Sequence, residues 1–426
     1  MTELPGDERH IIQDYQLVSW PKVASISAMV AFSLPTFITG IEIYQVMNVP
    51  NTVLAILIGS VILTLIGAAM GTIGTKTRMS SYLLVRIAFG NKGAAAVNLA
   101  FAISLIGWFG ININIFSGAV TELLHALGWF CPVWIVELLA GICMVITTLY
   151  GFRAIQIISS LLVPVLVMLT AFMFWQSTQH LSLAAFWEIE KTASMDLSHG
   201  IAAIVGTIII GAIILPDITR FSKQQRGGFH TAFWSYMVVQ AVVMLVAGIA
   251  AAAMVETEIL ALLLALGLGG LAFIIVIAGS WVLNSLNLYS AVLSIKATFP
   301  KMRERNITLL LGSFGVIAAF LNILDFFITF LVILSAIFVP VAGVIIIDFF
   351  LFKQSHYQHQ SLLNNSNFNT AALLAWAVGA GYAGISMLVN MPSLTHIEVL
   401  DSMLLTAGVY CLISKFPMSL LTKEDS

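Results

Sequence analysis

The sequence predicts an all-α polytopic membrane protein with about twelve transmembrane helices. Three observations carry that reading. Of the 426 residues, 60% are hydrophobic and 9% charged, with a mean hydropathy of +1.01, where an ordinary soluble domain carries roughly 25% charged residues. Apolar runs long enough to cross a ~30 Å hydrocarbon core recur along the whole chain, separated by short polar breaks. With the N-terminus inside and twelve crossings, every Lys and Arg except Lys191 falls on the cytoplasmic side, the bias that orients membrane helices. A soluble globular protein is excluded, and the crossings leave no length for an extramembrane domain.

Residues 1–22 place Glu3, Asp7, Glu8, Arg9 and Asp14 ahead of any apolar stretch. They lack the basic start and short apolar run of a cleavable signal and read as a solvated cytoplasmic tail. Spans are then expected near 23–47, 52–73, 93–120, 131–150 and 153–176, a first half over 23–176. A second half over 200–352 holds spans near 200–219, 231–255, 260–297, 306–323 and 325–352. A last pair near 370–390 and 397–416 precedes a cytoplasmic tail over 417–426. The stretch 259–298 has room for two crossings, but Gly267, Gly269, Gly270 and Gly279 allow one bent or tilted helix. Splitting it would carry the later basic loops outside, so the count stays at twelve. The fold expected is multi-pass in a bacterial-type inner membrane, with both termini cytoplasmic.

Other classes close on composition. Eighteen basic against 20 acidic residues give a net charge of −2 with no dense basic run, so the expected partners are the lipid bilayer and a small substrate, and no nucleic acid. Cys131, Cys143 and Cys411 are odd in number and in no C-x-x-C spacing, which reads as small buried residues. His356 and His359 lack a Cys, Asp or Glu at ligand spacing. No H-E-x-x-H, G-x-S-x-G or P-loop pattern occurs. No catalytic residue, cofactor or metal set can be named, and an enzyme or ATP-driven pump is not expected. Small-residue faces such as Gly267 and Gly270 permit helix contacts without requiring a dimer, so a monomer is expected.

Two spans carry helix breakers. Span 1 holds Ser33-Leu34-Pro35-Thr36 and then Thr39-Gly40; span 6 holds Gly206-Thr207, Gly211 and Pro216. Proline removes a backbone hydrogen bond and clashes with the preceding turn, freeing carbonyls that must find other partners. Interrupted helices at corresponding places in two halves point to a transporter's midplane site. Kinks without function are the plainer alternative.

Polar residues at membrane depth mark the rest. Trp108 and Asn112, at i and i+4 of span 3, share one helix face and set an aromatic plane beside an amide. That suits a flat heterocycle, although a helical Trp is more often packing. Asn114 follows on span 3. In span 8, Trp281, Asn284 and Asn287 bring two more amides, which must face a cavity or each other. Membrane-depth carboxylates are few: Glu42 and Glu137 toward the outside, Asp217 and Asp325 near span ends. Such groups are functional candidates, often proton relays. Asp217 has Arg220 close enough to pair and reads as a latch or gate. Glu42 has no obvious local partner and either takes part in proton coupling or reaches the outer water.

These motifs resemble the nucleobase:cation symporter-1 family, most closely its cytosine permease branch. The carrying residues are Thr39-Gly40, the segment from Gly74 to Gly93, Gly107-Trp108-Phe109-Gly110, Asp217-Ile218-Thr219-Arg220-Phe221, Trp281 with Asn284 and Tyr289, and Pro340 to Asp348. The resemblance implies a five-plus-five inverted repeat of the LeuT-like kind with two extra C-terminal helices. Spans 1, 2, 6 and 7 would form a bundle that rocks against spans 3, 4, 8 and 9, with spans 5 and 10 as gates. It implies that a base stacks on Trp108, is held by Asn284 and faces Asn112. The span 6 contacts map to Thr207, Ile208 and Ile210, where two departures stand: an aromatic has become Ile208 and a hydroxyl Ile210. The implied sodium site joins span 1 carbonyls near Met29 and Ser33 to two span 8 hydroxyls, which here are Val282 and Leu283. Oxygen ligands are missing there, which counts against sodium coupling and leaves proton coupling or facilitated diffusion.

The expected function is a secondary active transporter that imports a nucleobase such as cytosine, or a related planar heterocycle, by alternating access. The alternative is a carrier of another small ring compound (hydroxymethylpyrimidine, hydantoin, allantoin) with proton or no cation coupling. A channel or a non-transporting receptor are the rivals from other classes; nothing resembles a carbonyl selectivity filter.

Overall fold

The computed structural model describes residues 12, 14–150, 152–299, 301–352, 357–358, 365–389 and 391–415. Arg9, Lys353, His356, His359, Lys423 and the tail over 417–426 lie outside the described residues, as do the side chains of Arg153, Val282 and Lys415.

Backbone groups in hydrocarbon have no water to bond, so each run closes its own hydrogen bonds as a helix. Span 1 is two helices, α1 (Trp20–Ala31) and α2 (Leu34–Val46), bent by 50° at their junction. Span 2 is α3 (Val49–Thr77), capped by the Asn48 side chain, which accepts from the Asn51 N–H. A short α4 (Ser81–Phe89) leads to α5 (Ala94–Ala126), α6 (Val133–Tyr150) and α7 (Phe152–His180) at the places of spans 3, 4 and 5. After α8 (Leu183–Trp187), span 6 is α9 (Leu197–Ile213) with α10 (Pro216–Thr219). Span 7 runs from α11 (Gly227–Ala232) through a π-helical stretch, Phe233–Gln240, to α12 (Ala241–Met254).

Span 8 differs from expectation. It is not one bent helix over 260–297: α13 (Ile259–Ala265) ends, and α14 (Gly270–Thr298) starts afresh. Gly267 and Gly269 both take positive φ, 86° and 52°, a backbone that residues with a Cβ avoid, so the glycines end one helix instead of bending it. Spans 9 and 10 are α15 (Glu304–Phe320) and α16 (Phe327–Ile347), and the last pair is α17 (Thr370–Ser386) and α18 (Glu398–Lys415). Six helices among the described residues are long and apolar enough to cross a membrane, or seven with the bent pair as one span. No strand occurs among the described residues; the only pairing of that kind is an isolated bridge between Val18 and Ser222.

The helices pack as two groups. One joins α1, α2 and α3 to α9, α11 and α12; the other joins α5, α6, α14 and α15 to one another. α16 lies against α9 and against the closing pair α17 and α18. The expected helix break at Gly211 is absent: α9 runs unbroken through Gly206 and Gly211 and stops at Ile213, three residues before Pro216. Glycine serves close approach here. A Cβ on Gly206 would strike the Leu331 backbone of α16, and one on Gly40 would strike the Met244 backbone of α12.

Basic residues gather at one end. Arg78 donates to the carbonyls of Arg220 and Ser222, both at 2.7 Å, and the backbone of Asn91 and Lys92 bonds that of Ser366 and Asn367. Asn98, near the start of α5, reaches Thr298 at the end of α14 (3.3 Å). At the opposite end, Lys191 donates to the Tyr44 carbonyl and lies 4.1 Å from that ring's centre.

Candidate functional site

Trp108 is buried on α5, and two phenylalanines of α16 meet it nearly perpendicular: Phe330 at 5.3 Å and Phe327 at 6.0 Å between ring centres. Gly107 lets Phe330 come close, since a Cβ there would touch that ring. One turn on, Asn112 is fully buried and its Nδ2 donates to the Trp108 carbonyl at 2.7 Å. A backbone carbonyl only accepts, which fixes the amide's orientation. Asn112 Oδ1 is left buried without a partner. The face therefore offers an indole beside a bare acceptor.

Asn284 approaches from α14. Its Nδ2 donates to the Phe109 carbonyl at 3.0 Å and touches Met144 Sδ of α6, while its Oδ1 is buried and unpaired. Asn112 and Asn284 thus hang from neighbouring carbonyls of α5. Ser280, one turn before Asn284, is also buried with an unpaired hydroxyl; a Ser inside an apolar span was its sequence signal. Asn287 is half-buried on α14.

The first and sixth spans meet at a pair of hydroxyls. Thr207 and Thr39 lie 3.2 Å apart, and each also donates to its own preceding turn, Thr39 to Pro35 and Thr207 to Ala203. Ile208 and Ile210 are buried apolar core. Pro35 sits in the first turn of α2, so the chain breaks before it, at Phe32 and Ser33, and Thr39 and Gly40 lie inside the helix. Tyr236, which sequence reasoning missed, is buried with its ring against Gly67 and its hydroxyl near Gly211.

The cation positions are poor in oxygen. Ser33 precedes α2, its carbonyl accepts the Thr36 N–H (2.9 Å) and its hydroxyl lies 3.5 Å from that of Thr36. Met29 and Leu283 are half-buried, and neither Val282 nor Leu283 carries a side-chain oxygen. Sodium takes oxygen ligands, and Val282 and Leu283 supply no side-chain oxygen for it. Glu42 is half-buried on α2.

At the basic end, the expected pairing of Asp217 with Arg220 takes another form. The Asp217 carboxylate accepts from the Ser81 N–H (2.7 Å) and hydroxyl (3.0 Å) at the start of α4. Arg220 Nε instead donates to the Asp217 backbone carbonyl at 3.2 Å. A helix start presents free N–H groups, and a carboxylate is their natural partner. Ser81 was not legible as that partner, because it lies 136 residues away.

The family model for permeases of cytosine/purines, uracil, thiamine and allantoin matches residues 17–408. The chain belongs to this family. As a permease it is 27% identical over 327 residues to the cytosine permease of Escherichia coli K12, covering 76% of each chain. It is 23% identical over 376 residues to the hydantoin permease of Microbacterium maritypicum, covering 82% of this chain and 76% of the relative. In fold it is similar to Mhp1 in its inward-facing conformation, with a TM-score of 0.78 and 18% identity over 96% of this chain and 95% of that one. Mhp1 closed on bromovinylhydantoin gives a TM-score of 0.76 at 20% identity, over 94% of each chain. The permease is thus an all-helical LeuT-like, multi-pass membrane protein and a nucleobase-type secondary transporter, not an enzyme.

Proposed function

We propose that this permease imports a planar nitrogen heterocycle bearing N–H donors, a nucleobase such as cytosine or a hydantoin-like ring, by alternating access. The carrying observation is the bare Asn112 Oδ1 one turn from Trp108: the indole stacks the ring, and the amide oxygen accepts its N–H. Asn284 supports the pocket from α14, with Thr207, Ile208 and Ile210 as the opposing wall. The relatives named for cytosine and for hydantoin support the same ligand chemistry. The two halves over 23–176 and 200–352 act as inverted repeats, the basic end faces the cytoplasm of an inner membrane, and the monomer is the working unit. Hydroxymethylpyrimidine and allantoin are further candidates within this chemistry.

Thermal-shift binding of purified permease to a panel of nucleobases and hydantoins, with and without sodium, tests the proposal. A bound ligand raises apparent stability by mass action. W108A should abolish the shift, and N112A should weaken binding by about 5- to 150-fold, from ~1–3 kcal/mol per lost contact. Full binding by W108A would overturn the pocket; binding only with sodium would overturn the cation reading.

A further inference from the structure

Glu137, in the second turn of α6, is a carboxylate at 4% exposure that takes no part in the site above. Among the described residues no Lys, Arg or His forms an ion pair with it. Its Oε1 accepts from Asn114 Nδ2 of α5 at 2.8 Å, and that same nitrogen donates to the Ala319 carbonyl of α15 at 3.0 Å. The carbonyl can only accept, so it fixes which end of the Asn114 amide is nitrogen. Asn114 Oδ1 is left buried without a donor.

A carboxylate cannot supply that donor; a carboxylic acid can, through its one O–H. An acid and a primary amide join by two hydrogen bonds in a ring: amide N–H to one carboxyl oxygen, and O–H from the other to the amide oxygen. Half of this ring is in place. A proton on Glu137 Oε2 completes it, and at the same time removes a charge that no ion pair among the described residues offsets.

We propose that Glu137 and Asn114 form a proton-binding site, with the proton on Glu137 Oε2 and donated to Asn114 Oδ1. Its use in transport, as the site that loads the coupling proton, rests on the reading of the chain as a heterocycle carrier. Asn114 lies two residues beyond Asn112 and six beyond Trp108 on one helix, so proton and substrate bear on the same rigid element. The other ionisable groups on the packed elements stand apart. On α5, Glu122 and His125 are exposed in the last turns; Asp325, after α15, is exposed; Glu304 and Arg305 begin α15 at its far end, and on α14 Tyr289 and Lys296 lie toward its last turns. The proton comes from water and returns to it, and no other bond changes.

Infrared difference spectroscopy of the full-length protein in lipid, titrated between about pH 5 and 9, covers the range of buried Glu residues. The wild type should show an acid carbonyl band that titrates, is missing in E137Q, and moves in frequency in N114A, where the acid has lost its partner. Carboxyl bands unaffected by E137Q overturn the site. In proteoliposomes under an imposed proton gradient, wild type should accumulate radiolabelled cytosine, while E137Q should exchange cytosine without accumulating it. Gradient-driven accumulation by E137Q at the wild-type level overturns the coupling. If neither protein moves cytosine or hydantoin, the carrier reading fails, and the infrared result decides the proton site by itself.

Discussion

The hydroxyls of Thr39 and Thr207 lie 3.2 Å apart, joining α2 to α9 across 168 residues of sequence. Each also reaches the carbonyl four residues back on its own helix. Two hydroxyl protons face three contacts, so whichever hydroxyl donates to the other gives up the bond to its own turn, while the one that accepts keeps its own. T39V and T207V keep the shape and remove the protons. Each should lower thermal stability, and a double-mutant cycle should show a coupling of about 0.5–1.5 kcal/mol. Zero coupling would mean that each threonine serves its own helix alone.

The glycines of α2 and α9 act by what they lack. A Cβ on Gly206 or Gly40 would run into the backbone of Leu331 or Met244, and backbone cannot swing aside. Helix propensity alone would favour alanine by about 0.5–1 kcal/mol. Overpacking costs about 1–3 kcal/mol and more where nothing yields, so G206A and G40A should lose folded yield on size-exclusion chromatography. G118A and G408A, where nothing lies within 4 Å, should match wild type. Equal yields in all four would remove the packing role.

These glycines also show what was legible in the sequence. Hydropathy marks where the long apolar helices fall, because crossing a membrane is a local demand on about 20 residues. Pro35 marked the broken first span, since proline acts on its own helix. Gly206 and Gly211 read as breaks but lie within an unbroken helix, and Gly206 is contact surface, because a glycine's role depends on which helix faces it. Gly267 and Gly269 end a helix through positive φ, a conformation that composition does not reveal. Trp108 and Asn112 were legible as a pair by their i, i+4 spacing. The Phe109 carbonyl that holds Asn284, and Ser81 that holds Asp217, belong to distant segments and leave no local pattern.

The Asp217 carboxylate joins α10 to the first turn of α4, through the Ser81 N–H and hydroxyl. Hydrogen bonds to a charged group contribute about 1.5–3 kcal/mol. D217A should destabilise the basic end most, D217N less because an acceptor oxygen remains, and S81A least because its N–H still donates. A single cysteine placed at Thr77 reports the outcome through its labelling rate with a membrane-impermeant thiol reagent. Rates equal to wild type in all three variants would show that the contact does not hold α4 and α10 together.

At the opposite end, Asp196 caps α9 by accepting the His199 N–H at 2.9 Å, and His199 Nδ1 lies 2.7 Å from its other oxygen. Partial burial pushes the Asp196 carboxyl up, but hydrogen bonds from the His199 backbone and ring, with the charge of a protonated ring, outweigh it and hold the group below its usual 3.8. A carboxylate lowered in the folded state adds stability that is complete above its unfolded pKa and is lost as pH falls through the folded one. Thermal stability should therefore drop on acidification below about pH 4. H199A removes the ring contact and the charge while keeping the backbone donor, so its acid loss of stability should be smaller than in wild type. D196A removes the cap as well and should cost about 0.5–2 kcal/mol near neutral pH. Melting temperatures of the three proteins across that range decide it, and an H199A curve parallel to wild type would place the acid sensitivity elsewhere.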